Sequence, residues 1–147
     1  QIALDLRDVS GPEAWDQIVA GLPSPAPPDW EVGVKKRNLV RKWSTASALA
    51  EVERFEPFAS ADKGFKVLVE AGCLACHRFN ANGHGIGPDL TGAGRRFDRR
   101  TLLESILEPS KVVSDQYRNV PMPPGLLDTF GPAEIANLLL FLELGAR

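Results

Sequence analysis

Sulfur is scarce in this chain. Its 147 residues hold two cysteines and one methionine, along with two histidines and one tyrosine. Two cysteines cannot build the several-bridge framework of a disulfide-rich mini-protein. Long apolar runs are lacking as well. The best candidate, residues 135–144, is interrupted by Asn137 and Glu143 and falls short of the roughly 18–20 residues that a membrane-spanning helix needs. Neither sign of charge is in marked excess: seventeen basic against nineteen acidic side chains leave a formal net charge of −2, which gives no general drive toward nucleic acid. No internal repeat is present, and neither collagen nor coiled-coil patterning occurs. What remains, 44% hydrophobic and 24% charged residues, is globular composition at about one domain's length.

Composition changes near residue 60. Ser10-Gly11-Pro12-Glu13 opens an expected short helix to about Ala20, and Pro23, Pro25, Pro27 and Pro28 then favour extended chain. Lys35-Lys36-Arg37 and Arg41-Lys42 form a basic patch ending at Trp43, after which Ser44 or Thr45 caps an expected helix from Ala46 to about Phe55. This half reads as an irregular, Pro-rich N-terminal extension, residues 1–59. From Ser60 onward, helical periodicity is firmer. Ser60 caps an expected helix over 61–71, with Phe65, Leu68 and Val69 on its stripe and Gly72 as its stop. Five glycines between 80 and 94 indicate a loop. Asp98 or Thr101 caps a helix with Leu102, Leu103, Ile106 and Leu107 on one face, and Gly131-Pro132 opens another ending at Leu144, with Ile135, Leu138, Leu139 and Leu142 at helical spacing. No strand alternation is evident. The expected class is all-α, with residues 60–147 as the main domain.

The two cysteines stand three apart with a histidine next, in Cys73-Leu74-Ala75-Cys76-His77. On a helical turn, residues three and four apart lie on one side, so two sulfurs and an imidazole can address one flat object. Two thioethers to the vinyl groups of a haem, and one imidazole to its iron, are what c-type attachment asks of this spacing. Three other readings stand beside it. A thioredoxin-like redox pair needs a βαβ context, whereas a glycine-rich loop follows here. A zinc site could draw in His84 but lacks a fourth Cys or His. A buried disulfide is the third. The spacing favours one covalent haem c, its iron held by His77.

Such an iron needs a sixth ligand or an open face. Met122, in Pro121-Met122-Pro123-Pro124, lies 45 residues beyond His77, and its prolines stiffen a strap that can hold a thioether at little ordering cost. The bland reading of a lone methionine is core filler, for which these neighbours are poorly suited. His84 would have to cross to the opposite haem face within a short loop and is expected at the surface. A ligating imidazole usually donates its second N–H to an acceptor, and the Pro88 carbonyl in Gly87-Pro88-Asp89-Leu90 is the natural one. Arg95 and Arg96 suit haem propionates, with Trp43 or Tyr117 as further candidates. Arg99 and Arg100 read as a solvated helix end.

In order, helix, Cys-x-x-Cys-His, Gly-Pro-x-Leu, middle helix, Met-Pro and final helix resemble class I cytochrome c. The resemblance implies that the first and last helices cross near the haem edge, at Gly64 with Phe65 and at Phe141. More narrowly, residues 35–147 resemble the haem-binding domain at the C-termini of large secreted proteins of planctomycetes and verrucomicrobia. The matching motifs are Gly87-Pro88-Asp89-Leu90-Thr91-Gly92, Arg95-Arg96-Phe97, Pro109-Ser110-Lys111 and Ser114-Asp115-Gln116-Tyr117. That family commonly has some dozens of residues between its Asp-Gln-Tyr and Met-Pro motifs, where this chain has Arg118, Asn119 and Val120.

The expected function is electron transfer by a single His/Met-ligated haem c, with no substrate bonds made. Redox proteins are the expected partners, among them a fused or separate dehydrogenase by analogy with the resembled family. The alternative is a haem with a vacant or labile sixth site, acting as a peroxidase or binding a small gas. The chain begins at Gln1, so a processed chain or a fragment is expected. Because thioether attachment takes place outside the cytoplasm, a periplasmic or otherwise exported location is expected too.

Overall fold

The computed structural model describes residues 36–145. The helix expected near residues 12–20 and the proline stretch after it lie outside the described residues. Among the described residues, five α-helices carry the architecture: α1 (Thr45–Phe55), α2 (Ala61–Glu70), the single turn α3 (Ala93–Arg96), α4 (Arg99–Leu107) and α5 (Pro132–Leu144). Short 3₁₀ turns at Glu56–Phe58, Cys73–Ala75 and Asp115–Tyr117 link them, with one small antiparallel hairpin of β1 (Arg78–Phe79) and β2 (Asn82–Gly83). The class is all-α.

Helix starts follow local chemistry. The Ser44 hydroxyl accepts from the Ser47 N–H at 3.2 Å, Ser60 caps Lys63, and Asp98 Oδ1 accepts from the Thr101 N–H at 2.7 Å. Each satisfies an N-terminal donor that the helix cannot satisfy itself. At α5, Pro132 sits in the first turn and Glu134 reaches back to the Gly131 N–H at 2.9 Å.

Helix α5 is apolar on most of its surface, the mark of a helix enclosed by neighbours. It packs against α1, α2, α3 and α4. Ile135, Leu138 and Leu139 are fully buried with Leu68, Leu74, Leu103, Leu127 and Phe130. On α2 the buried face is Gly64, Val67 and Leu68, whereas Phe65 stays at the exposed edge of the stripe expected for it. Gly64 is where α2 meets α5. A Cβ there would lie 2.6 Å from Phe141 Cβ and closer still to the Asn137 carbonyl oxygen, so only glycine permits this approach. Phe141 stacks at the crossing with Phe65 and Phe79, at centroid separations of 5.5 and 4.7 Å.

The division drawn between residues 59 and 60 falls inside one core, because Trp43, Ala48 and Val52 share the buried cluster with the helices that follow. Two expectations are corrected here. The glycine-rich stretch is more than loop, since it contains β2 and opens α3. Arg99 is no solvated helix end: its guanidinium reaches Glu143 at 2.7 and 2.5 Å and Glu56 at 2.6 Å, joining α4 to the end of α5. No helix among the described residues is long and apolar enough to cross a membrane.

Candidate haem site

Gly72, at φ 74°, ends α2 and turns the chain into the 3₁₀ helix Cys73–Ala75. The His77 N–H then bonds the Cys73 carbonyl at 2.9 Å, closing one helical turn. Residues 73, 76 and 77 therefore fall on one side of that turn. Both cysteines are half-buried free thiols. Burial pushes the Cys73 thiol up to about 12, the opposite of the depressed value that makes a redox-active pair reactive. Among the described residues no three His, Cys, Asp or Glu side chains converge as a metal site would require. Neither observation favours the thioredoxin-like or the zinc reading among the described residues.

His77 is held from one edge. Its Nδ1–H donates to the Pro88 carbonyl oxygen at 2.6 Å, which leaves Nε2 as the ring's remaining donor to a metal. The turn carrying that carbonyl is tied on several sides. The Leu90 N–H bonds the Arg78 carbonyl at 2.8 Å. The Asn80 N–H bonds Thr91 Oγ1 at 2.7 Å, and Arg96 Nη2 donates to the Asp89 carbonyl at 2.6 Å. The Thr91 hydroxyl and its N–H hold the Asp89 carboxyl below the usual carboxylate range. Gly87 completes the cradle, for a Cβ at this position would sit 2.8 Å from His77 Cε1 and 3.0 Å from Nδ1. This requirement went unread in the sequence, where Gly87 stood only as part of a motif; a glycine immediately before the acceptor proline was the available signal.

The other expected site residues are placed as follows. Arg96, exposed, is committed to the Asp89 carbonyl. Arg95 is exposed, its guanidinium folded over Gly92 and, among the described residues, without an ion pair. Trp43 is not available to a propionate: it is buried and its Nε1–H donates to the Phe130 carbonyl at 3.1 Å. The Tyr117 hydroxyl accepts from Gln116 Nε2. His84 is exposed, and its backbone N–H bonds the Leu74 carbonyl. Met122 is half-buried, on an irregular strap between the 3₁₀ turn Asp115–Tyr117 and α5.

These residues fit a covalently held haem. Two free thiols and an oriented imidazole share one turn, and the segments between His77 and Met122 leave Ile86, Phe97, Val112, Val113 and Val120 exposed.

A search of curated proteins and of solved structures finds no match to this chain. The family model described as cytochrome c matches residues 61–144, from the first residue of α2 to the last of α5. With more than half of its length matched, the chain belongs to the cytochrome c family, binds haem c covalently and serves haem-based electron transfer.

Proposed function

We propose that the chain is a one-electron carrier whose haem iron is held by His77 and Met122, that it works outside the cytoplasm, and that it accepts electrons from a dehydrogenase-type partner, fused or separate. The observation carrying this reading is the 2.6 Å bond from His77 Nδ1 to the Pro88 carbonyl. When bound, the haem supplies a one-electron iron couple. The chain supplies ligand orientation. The Pro88 carbonyl fixes the imidazole tautomer and keeps the ring from turning, while the Gly87 backbone leaves room for it. Met122 is the one methionine; a thioether donor favours the reduced iron and closes the sixth position to exogenous ligands. Arg95, and the Arg96 donors not spent on the Asp89 carbonyl, are assigned to the propionate carboxylates because a guanidinium matches a carboxylate bidentately. A carrier of this kind makes and breaks no substrate bonds. The resemblance to domains of secreted planctomycete and verrucomicrobial proteins supports export and a dehydrogenase donor.

The test is the ferric absorption spectrum of the holoprotein, with Met122→Ala beside it. The parent should show a sulfur-to-iron charge-transfer band. The variant should lose it, keep its haem through acidified organic extraction, bind cyanide, and have a lower reduction potential. A high-spin spectrum in the parent would instead select the peroxidase or gas-binding alternative.

A further inference from the structure

Arg37 joins the two segments that bear the proposed ligands. Its Nη1 donates to Glu70 Oε2 at 2.8 Å, and Glu70 stands three residues before Cys73 at the end of α2. Its Nη2 donates to Glu134 Oε1 at 2.6 Å, in the first turn of α5. Its Nε donates to the Thr129 carbonyl at 3.2 Å, and the guanidinium stacks 4.1 Å from the Phe130 ring centroid. Two arginines of the basic patch expected here are thus tied within the protein, Arg41 likewise pairing with Glu51 and lying over Trp43.

The chain around Arg37 continues the same connection. The Val40 and Arg41 N–H groups both donate to the Asp128 carbonyl, at 2.8 and 3.0 Å. The Trp43 backbone N–H donates to Asp128 Oδ1 at 3.3 Å, and its indole N–H to the Phe130 carbonyl at 3.1 Å. Asp128 lies six residues beyond Met122. On the other side of Met122, support is local: among the described residues, the hydrogen bonds of residues 112–123 reach no further than three positions along the chain, as from Val120 to Tyr117. The strap is thus tied to the body of the protein through residues 127–130, which are held by the buried Leu127 and Phe130 side chains and, through hydrogen bonds, by residues 37–43.

We propose that residues 37–43 are a clamp for the Met122 strap, with Arg37 and Trp43 as positioning residues that fix it relative to the haem-attachment turn. The inference rests on Met122 being the ligand. A neutral, soft thioether competes weakly for ferric iron, so its hold there depends on how rarely the strap opens, and local opening is set by the bonds that anchor a segment.

The experiment titrates ferric holoprotein with imidazole while following the charge-transfer band, and measures the reduction potential, for the parent, Arg37→Ala, Trp43→Phe and Arg99→Ala. Trp43→Phe keeps an aromatic ring in the core while removing the indole donor and some buried volume, which covers the case of Arg37→Ala failing to fold. Arg99→Ala breaks an ion-pair cluster of similar size at the opposite end of α5, and so controls for general loosening. The clamp variants should bind imidazole about tenfold more tightly than the parent, equivalent to about 1.4 kcal/mol of lost restraint, with a lower potential. Arg99→Ala should melt earlier yet bind imidazole as the parent does. Unchanged imidazole binding in both clamp variants, or an equal shift in Arg99→Ala, overturns the clamp while leaving the ligand assignment intact. A parent without the charge-transfer band, with a spectrum that Met122→Ala does not alter, overturns the ligand assignment and the clamp with it.

Discussion

Replacing Gly64 by alanine is expected to destabilise the protein, against the intrinsic preference of the helix in which it lies. Gly64 is the fourth residue of α2. In an uncommitted helix interior the change would stabilise by about 1 kcal/mol, because glycine loses more backbone entropy on folding. Here the new methyl carbon would come 2.6 Å from Phe141 Cβ and 2.7 Å from the Asn137 carbonyl carbon, and nearer still to the attached oxygen. Two of those atoms are backbone of α5 and cannot swing aside, so the helices must part by about 1 Å, and overpacking of this kind costs about 1–3 kcal/mol. Parting them also loosens the pairs that Phe141 makes with Phe65 and Phe79, worth about 0.5–1.5 kcal/mol each. The net loss is about 2–3 kcal/mol, or a melting temperature lower by about 10 °C for a domain of this size. Thermal unfolding of the ferric holoprotein, followed by far-ultraviolet circular dichroism and by the haem band, measures it. Coincident transitions license the two-state reading. A variant that melts at or above the parent temperature would refute the close crossing, because helix propensity alone would then account for the result.

Gly87→Ala should retain covalent haem but displace the imidazole that lies 2.8 Å from the added carbon, changing the ferric spectrum and the reduction potential; an unaltered potential would count against the Pro88–His77 cradle. Arg99→Ala should lower the melting temperature by several degrees, as expected for about 1–2 kcal/mol from a partly buried guanidinium shared by Glu143 and Glu56, with the absorption spectrum unchanged. Asp98→Ala removes a helix cap whose carboxyl is held below its ordinary value of 3.8, chiefly by the Thr101 backbone N–H. Because the folded-state value is depressed, this stabilisation is present above the ordinary carboxylate value and is lost as pH falls through the folded one. The stability gap between parent and variant should therefore be widest near neutrality and shrink in acid, read from melts across that range; a gap independent of pH would remove the charged cap from the account.

Some of this organisation is legible because it is local. Ser44, Ser60, Asp98 and Gly131-Pro132 mark helix starts through bonds made within three residues, so short-range sequence suffices to find them. Other features have no such signature. Two-residue strands carry no period, and β1 pairs with β2 only because the turn between them brings Phe79 to Asn82. Gly94 counts toward a loop in composition, yet its missing Cβ is what lets α3 lie against the backbone of Glu143. The buried side of α2 was displaced from the expected stripe for a related reason: Gly64 adds no hydrophobicity to a pattern, but it draws α5 onto its own face.

From residue order and spacing alone come the all-α class, the last helix from Pro132 to Leu144, and the set Cys73, Cys76 and His77, because a 3.6-residue turn places i, i+3 and i+4 on one side wherever it forms. Folding alone assigned Arg37 to Glu70 and Glu134, Trp43 to the Phe130 carbonyl, and Arg99 to Glu143. A charged or aromatic side chain reads the same at a solvated surface as at an internal tie. The difference lies in partners 33 to 97 residues away, which only the docking of the surrounding segments onto α5 brings within reach.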